Sequence, residues 1–532
     1  MEGVNDVYAA RSGRFDLADY PAATQALLRE KLKPVDEIIA SFPRRCTLYS
    51  TFAMGVARGL LRRLGERRDF EALELYSAMT IEPYSFLQQP QVTMVSAYAS
   101  PLDRFLASKM GKSVVHLPRQ FVQFTDVLRE PGRIDVHVHS CTPPDSEGFV
   151  NLGVNCEILY EVFKNYRQRD DIRLVLEINP WMPWVMGVEA YDYNRLHLSE
   201  ASAAYVHVEA MPQIPCIVPS EVERRIAGHV QAFVGDGDTL QLGIGGVPTY
   251  VAQHLCERRG LKVHSEMLTD GILALHEAGA LDSADKALWD GMIVGSFAAG
   301  TDRLYDWVDR NPEVRLLPIQ ATNDPCEIGR NRRMKSINSA LLVDLHGQVC
   351  SDAVGFKQVS GIGGQLEFVM GAQRSEGGRS VLCLKSTRKV KGRRVSSICS
   401  VLPPGTPVSV PRCFADVIVT EYGAAEIKDL DAVDRAHALV AIAHPEFRAE
   451  LQREAEMAGL WQRAAGFDRF DQRLLYNHLG TVLQLKRAVA CDPKSARRII
   501  LREARALLRA PDLTGRLKRT VAQSWPRVPP RP

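Results

Sequence analysis

The stretch LQLGIGGVPTYVAQHL, residues 240–255, joins a short apolar segment, a glycine-rich turn and a helical pattern in one unit. LQL indicates a strand, and the apolar spacing after the GIGGVP turn (243–248) indicates a helix. Glycines in such a turn let the backbone approach a ligand and present N–H groups at a helix N-terminus. A phosphate-binding loop would need a lysine here, and a dinucleotide-binding turn would follow the first strand of its fold. An ordinary tight turn between strand and helix is the alternative.

The alternation of strand and helix continues on both sides of this unit. Because strands that alternate with helices form mostly parallel sheets covered on both faces, the sequence predicts an α/β fold. Helices are predicted at 22–32, 54–66 and from Ser220, where Glu223 completes a capping box. Strands are predicted at 46–52, 73–79, 92–95, 114–116, 134–139, 173–178, 239–242, 292–294, 314–318, 341–344, 381–384, 395–399 and 417–419.

A proline-rich segment, MPQIPCIVPS (211–220), divides this alternation into two halves. We therefore predict an N-terminal segment at 1–33, a first α/β domain at 34–215 and a second at 220–450. The chain becomes helical and basic at 451–532, with a disordered end at PRVPPRP.

Composition restricts the class of protein. The chain has 532 residues, 45% hydrophobic and 24% charged, which is typical of a globular protein with more than one domain. A net charge of +3 argues against nucleic acid or an anionic membrane as the main partner. Its eleven cysteines occur singly, without a CxxC pair, as in reduced cytosolic proteins. With neither a signal sequence nor an apolar run long enough to span a bilayer, we expect a cytoplasmic protein.

Three motifs place chemically useful residues beside small or apolar neighbours. HSEMLTDG (264–271) contains Glu266, a candidate nucleophile or base. SGIGGQLEF (360–368) contains a second GIGG, and the two glycine turns could converge on one ligand. VIVTEYGAAEI (417–427) places Glu421 at the end of a strand, where open α/β sheets bind ligands. The alternatives are an ordinary surface glutamate, an ordinary turn and a capping glutamate.

DVHVHS (135–140) places His137 and His139 on one face of a strand, a pattern that some metal-dependent hydrolases use. His116, His207 and His264 are isolated, so the sequence offers no convincing second group of ligands. We interpret the pair as structural histidines and expect no metal site.

Taken together, these motifs resemble the acetyl-CoA hydrolase/transferase family, within the class I CoA-transferases, over about residues 34–451. Further stretches that carry the resemblance are SINSALLVDLHGQV, SDAVG, IAHPEFRAEL, PPDSEGFVNLGV and EINPWMP. The resemblance implies two similar open α/β domains with the active site between them, and acyl transfer from an acyl-CoA to a carboxylate. It implies coenzyme A as a substrate rather than a tightly bound cofactor, and a homodimer.

The resemblance also implies roles for individual residues. The family nucleophile falls on Glu266, the oxyanion-hole turns near Ile244 and Gly363, the asparagine near the thioester on Asn323, and a further catalytic glutamate on Glu421. Contacts to CoA are expected from the two turns, at Gly243, Gly245, Gly246, Gly361 and Gly364. The charges of the basic run KSTRKVKGRR (385–394) make Lys385 and Arg388 candidates for binding the CoA phosphates, although we favour a solvated hairpin for this run.

Two departures from the family pattern bear on the substrate. The NPxMP stretch continues as Trp184-Val185-Met186-Gly187 rather than Thr-His-Gly, so we expect Trp181 and Trp184 to alter an acyl or acceptor pocket. This departure argues against acetate as the substrate and allows a bulkier or more apolar acyl group. The basic helix predicted at 494–509 lies beyond the family core; we interpret it as a packing helix, with a membrane-surface or CoA-phosphate role as the alternative. Besides a CoA-transferase, the sequence leaves open an acyl-CoA hydrolase, a non-catalytic acyl-CoA-binding protein and a metal-dependent hydrolase using His137 and His139.

Overall fold

The computed structural model describes residues 14–109, 114–156, 171–214, 218–243 and 245–462. One compact unit extends to Trp461. The predicted basic helix at 494–509 and the disordered end lie outside the described residues. Within those residues, no helix is long and apolar enough to cross a membrane.

The first half builds a seven-stranded, fully parallel sheet in the order β4-β3-β2-β1-β5-β6-β7. Its inner strands are buried on both faces, as expected for a parallel sheet covered by helices. The strands are β1 Arg45–Ser50, β2 Ala72–Ser77, β3 Val92–Ser96, β4 Val114–His116, β5 Val136–Cys141, β6 Arg173–Ile178 and β7 Ala203–Val206.

The second half builds a six-stranded sheet in the order β9-β8-β10-β11-β12-β13, parallel except for the last pair. Its strands are β8 Thr239–Leu242, β9 Lys262–Val263, β10 Met334–Ser339, β11 Arg379–Cys383, β12 Val417–Thr420 and β13 Gly423–Glu426. The carboxyl ends of its parallel strands meet at one edge, which we call the carboxyl edge. The α/β class predicted from the sequence is therefore confirmed.

The helices of the described chain cover these sheets and connect their strands. They are α1 Ala22–Lys31, α2 Val35–Ala40, α3 Arg58–Leu64, α4 Pro101–Lys109, α5 Phe121–Phe124, α6 Glu221–Val230, α7 Gly246–His254, α8 Asp270–Glu277, α9 Asp302–Val308, α10 Ile319–Thr322, α11 Pro325–Arg330, α12 Gln365–Arg374, α13 Ala432–Ala441 and α14 Pro445–Met457. The predicted capping box is confirmed, since Ser220 caps α6 and the Glu223 carboxylate accepts from the Ser220 backbone.

Local predictions failed where tertiary contacts decide the structure. The helix predicted at 54–66 is a 3-10 turn, Ala53–Gly55, followed by the shorter α3. β10 was not among the predicted strands, although it lies in the interior of the second sheet. Its Ser336 and Asn338 are buried and both donate to Gln241 of β8, at 2.9 and 2.8 Å. These polar side chains form hydrogen bonds with one another inside the protein. The buried strand therefore lacks the apolar pattern from which a strand would be predicted.

The two sheets share one apolar core, because the largest buried cluster contains residues from both halves. Phe52 follows β1, Phe121 begins α5 and Phe297 belongs to the second half, and their rings pack edge to face at 5.0 to 5.9 Å. The domain boundaries at 215 and 220 stay a prediction. The shared core places segments of the first half beside the carboxyl edge of the second sheet.

Candidate active site

Both glycine turns border a cavity of about 350 Å³ at the carboxyl edge of the second sheet. Glu266 opens into it from the segment that follows β9, and Tyr98 reaches it from the first half. Of the residues predicted for the site, the lining contains Gly243, Gly245, Glu266, Gly361, Gly363 and Gly364. The structure therefore brings the candidate nucleophile and both turns to one place.

Two neutral N–H donors hold the Glu266 carboxylate. Asn323 Nδ2 donates to Oε2 at 2.7 Å, and the backbone N–H of Gly364 donates to the same carboxylate. The Glu266 carbonyl is fixed in turn by the backbone N–H groups of Ser296 and Phe297, at 2.8 and 3.2 Å. Among the described residues, no lysine, arginine or histidine forms an ion pair with Glu266. Its carboxylate is thus oriented without a compensating positive charge.

Loss of solvent raises the pKa of Glu266 to about 7, and the bonds from Asn323 and Gly364 limit the increase. The residue keeps some solvent contact through the cavity while protein surrounds the rest of the side chain. A carboxylate with a pKa near neutrality is more basic and more nucleophilic than an exposed one. This environment suits the role that the sequence predicts for it.

Asn323 lies between α10 and α11, and it connects Glu266 to a second carboxylate that the sequence reasoning missed. Asn323 Nδ2 also donates to Glu367 Oε2, at 2.7 Å. Glu367 is in the first turn of α12 and only 2% exposed. Burial raises its pKa to about 8. An acidic residue inside the apolar run LEFV, directly after a glycine turn, was the available signal.

The second glycine turn (361–364) fits tightly against its surroundings. A Cβ on Gly361 would collide with the backbone of Ala97 and Tyr98 from the first half, and one on Gly364 with Glu266 and Asn323. Gly363 differs, since its φ is +58° and a Cβ there would meet open space.

Segments of the first half hold this turn from the other side. The Gly363 carbonyl accepts from the N–H of Phe121 at 3.1 Å, and the Arg104 guanidinium donates to the Val359 carbonyl. The turn therefore lies between α12 and the first half.

The first glycine turn links β8 to α7. Gly243 donates to the Ile337 carbonyl of β10 at 2.8 Å, and a Cβ on Gly243 would lie 2.5 Å from Asn338 Oδ1. Gly245 has a φ of +117°, which strongly favours glycine, and α7 begins at Gly246. Ile244 lies outside the described residues, so its predicted role at the oxyanion stays a prediction.

Several predicted residues do not line the Glu266 cavity, among them Gly246, Glu421, Lys385 and Arg388. The Glu421 carboxylate, after β12, accepts from Ser386 through its hydroxyl at 2.6 Å and its backbone N–H at 2.9 Å. Lys385 pairs with Glu223 at 3.0 Å. Arg388 belongs to an antiparallel hairpin, Thr387–Val390 with Arg393–Ser396, so the basic run is a hairpin.

Trp181 and Trp184 are also absent from the lining of the cavity. The Trp184 backbone N–H donates to Asp309 at 2.7 Å, and Trp181 packs against the main core. The expectation that they shape the pocket beside Glu266 therefore gains no support from their positions.

His137 and His139 are core residues, each 1% exposed. His139 Nε2 lies 3.2 Å from the Leu152 carbonyl, which can only accept, so Nδ1 accepts from the Thr51 hydroxyl at 2.6 Å. Burial lowers the pKa of both rings, that of His139 to about 4. The described residues contain no group of three or more His, Cys, Asp or Glu arranged to hold a metal ion.

Comparison with known proteins supports the same family. The acetyl-CoA hydrolase/transferase C-terminal domain matches residues 300–455. The 4-hydroxybutyrate coenzyme A transferase of Clostridium kluyveri is 37% identical over 323 residues, covering 60% of this chain and 72% of the relative. The succinyl-CoA:cyclohexane-1-carboxylate CoA transferase of Geobacter metallireducens is 33% identical over 400 residues, covering 74% and 88%.

Solved structures and a more distant relative agree with this assignment. RipA of Yersinia pestis superposes with a TM-score of 0.74 at 30% identity, covering 82% of this chain and 99% of that one. An acetyl-CoA hydrolase of Candida albicans is 26% identical over 268 residues. The chain belongs to the acetyl-CoA hydrolase/transferase family, and it is an enzyme of the CoA-transferase or acyl-CoA hydrolase class.

Proposed function

We propose that this protein is an acyl-CoA:carboxylate CoA-transferase in which Glu266 carries CoA as a glutamyl thioester. The observation that supports this most is the Glu266 carboxylate itself, which opens into the cavity and is oriented by Asn323 and Gly364 without a cation. A cation paired with the carboxylate would lower its basicity and so weaken it as a nucleophile.

The reaction begins when Glu266 attacks the acyl carbonyl and expels CoA thiolate, which leaves an acyl-glutamyl anhydride. The thiolate then attacks the glutamyl carbonyl of that anhydride, forming the glutamyl-CoA thioester and releasing the acyl group as a carboxylate. An acceptor carboxylate reverses both steps and leaves with CoA, which restores Glu266. No electrons are transferred, and each tetrahedral intermediate places a negative charge on a former carbonyl oxygen.

Backbone N–H groups of the two glycine turns are suited to stabilise these oxyanions. Gly245 and Gly363 line the cavity, whereas the N–H groups of Gly243 and Gly364 already donate to the Ile337 carbonyl and the Glu266 carboxylate. A dipolar donor stabilises the developing charge in a site shielded from water without neutralising the nucleophile. Removing one such donor typically reduces kcat by about 100- to 1,000-fold.

The lining suggests a short acyl group. Leu242, Met267, Leu341 and Phe368 provide apolar surface beside Glu266, while Tyr98 contributes an aromatic ring from the first half. Two relatives are named for butyrate and 4-hydroxybutyrate, and a third for succinyl-CoA and cyclohexane-1-carboxylate. We infer a short-chain acyl-CoA as donor and a small carboxylate, such as acetate, as acceptor, in a cytoplasmic homodimer.

An acyl-CoA assay on the purified full-length protein tests this proposal. Acetyl-, propionyl- and butyryl-CoA are supplied with and without carboxylate acceptors, and free thiol and new acyl-CoA are followed together. A transferase requires an acceptor and forms new acyl-CoA, whereas steady thiol release without an acceptor identifies a hydrolase.

Variants of two glutamates complete this test. Glu266→Ala is expected to be inactive, and Glu277→Ala, which removes an exposed glutamate of α8, serves as the matched control. Full activity of Glu266→Ala would refute the assigned nucleophile.

A further inference from the structure

Both polar atoms of the Asn323 side-chain amide form hydrogen bonds with neighbouring residues. Its Nδ2 atom has two hydrogens, and it lies 2.7 Å from Glu266 Oε2 and 2.7 Å from Glu367 Oε2. Its Oδ1 atom accepts from the Thr322 hydroxyl at 3.0 Å. One amide therefore bridges two carboxyl groups, and a negative charge on one of them disfavours ionisation of the other.

The two carboxyl groups of this bridge have different surroundings. Glu266 opens into the cavity, whereas Glu367 is 2% exposed and its Oε1 has no hydrogen-bond partner among the described residues. In the same described part of the chain, no lysine, arginine or histidine forms an ion pair with Glu367. An ionised Glu367 would thus be a buried charge with one unsolvated oxygen, which is much more costly than a neutral carboxylic acid in the same place.

We propose that Glu367 is a positioning residue that keeps the single proton of a Glu266–Asn323–Glu367 unit, so that Glu266 stays ionised and Asn323 stays aligned with it. The proposal rests on the proposed function, in which Glu266 is the nucleophile. Glu367 was not among the residues predicted from sequence motifs. In this proposal it stays protonated as the acid of the pair, while Glu266 stays ionised as the base.

The electrostatics of the surroundings agree with this assignment. The pKa of Glu367 is raised to about 8, chiefly by burial; the Asn323 amide opposes the increase, and the negative charges of Glu266 and Asp324 contribute to it. His264 contacts the neighbouring Phe368, but burial lowers its pKa to about 3, so it is neutral. Tyr98, whose pKa burial raises, and Arg104, whose guanidinium donates to the Ala99 and Val359 carbonyls, also lie near the unit.

Two coupled carboxyl groups release their protons in two macroscopic steps. The active form is the one with a single proton, so kcat/KM should rise as the first proton leaves near pH 7 and fall as the second leaves near pH 8. Above the second step, a charge on Glu367 repels the oxyanion and draws the Asn323 amide away from Glu266. The result is a bell-shaped profile with a narrow maximum.

The test compares the pH profiles of kcat/KM for the full-length wild type, Glu367→Gln and Glu367→Leu. Glutamine imitates the protonated acid, so the kcat/KM profile of Glu367→Gln should lose its alkaline limb. The apparent pKa of its acid limb should stay within about half a pH unit of the wild-type value, and its kcat at pH 7.5 should be at least a tenth of the wild-type kcat. Leucine cannot accept from Asn323, and Glu367→Leu should lose about 100-fold or more in kcat. The proposal would be overturned if the alkaline limb persists in Glu367→Gln, or if the apparent pKa of the acid limb falls by one unit or more.

Infrared difference spectra of the wild type provide a second measurement should the variants fail to fold. A protonated carboxyl stretch that is present at pH 7.5 and lost on titration through pH 8 supports the proposal, and its absence at pH 7.5 overturns it. The spectra also separate the two claims. If Glu266→Ala is fully active, the proposed function fails even though the protonated carboxyl is observed; if Glu266→Ala is inactive and no such carboxyl exists, only the role of Glu367 fails.

Discussion

Replacing Gly364 by alanine tests whether contact between the second glycine turn and Glu266 positions the nucleophile. The backbone of Gly364 has φ −94° and ψ 11°, which alanine can adopt, so the substitution adds no conformational strain. The added Cβ, however, would collide with Glu266 Oε2 and Asn323 Nδ2 and lie 3.0 Å from Glu367 Oε2. Since real Cβ atoms do not approach other atoms so closely, the two side chains must move.

The size of this movement sets the expected effect. Restoring an ordinary contact requires the carboxylate to shift by on the order of 1 Å, and a misplacement of that size costs about 100-fold in rate. We therefore expect Gly364→Ala to lose about 100-fold in kcat. The loss should fall on kcat more than on KM, because the glycine contacts the nucleophile rather than the body of the substrate.

Gly363→Ala is the matched control for this experiment. Its φ of +58° makes alanine unfavourable by roughly 1 kcal/mol, but the Cβ meets open space and the N–H is retained. Gly363→Ala should lower the thermal midpoint while keeping kcat within about tenfold of wild type. Initial rates with butyryl-CoA and acetate, together with thermal unfolding, give both quantities. Equal kcat values for the two variants, or a Gly364→Ala enzyme within threefold of wild type, would refute the positioning argument.

Three further predictions follow from charge. The kcat/KM of the wild type should fall below about pH 7 in proportion to the ionised fraction of Glu266, whose pKa burial raises; a profile that is flat from pH 5 to 7 would contradict this. The folded-state pKa of Glu367 lies above its unfolded value of 4.5, so this residue lowers stability progressively as pH rises from about 4.5 to about 8. The free energy of unfolding of Glu367→Gln relative to wild type should therefore increase by on the order of 3 kcal/mol between pH 5 and pH 9, measured by urea unfolding. Lys385→Ala should raise the KM for acyl-CoA by about two- to fivefold at low salt, and Arg394→Ala, in the hairpin that follows Lys385 and paired with Glu446, should not.

Much of the fold could be predicted from the sequence because a parallel α/β sheet leaves a strong local pattern. Strands such as β4 and β6 were predicted to the residue, and the Ser220 capping box was found from two side chains. β10 could not be found in this way, since its buried polar side chains bond to Gln241, which is nearly a hundred residues away in the chain.

The candidate site was only partly predictable, for a related reason. Glu266 and the glycine turns were conspicuous in the sequence, and the fold brings them to one cavity. Asn323 entered only through family resemblance, because an asparagine between two short helices carries no local signal. Glu367 was missed because its chemistry comes from the neighbours that bury it, and those neighbours are assembled only by the tertiary structure.

The most direct test of the central claim is to search for the covalent intermediate on Glu266. The full-length enzyme is mixed with acyl-CoA without an acceptor, quenched in acid and analysed by mass spectrometry, intact and after digestion. We predict an added mass of CoA minus one water on the peptide that contains Glu266, which disappears when a carboxylate acceptor is added before the quench. Turnover without this adduct, or an adduct on another residue, would contradict the account.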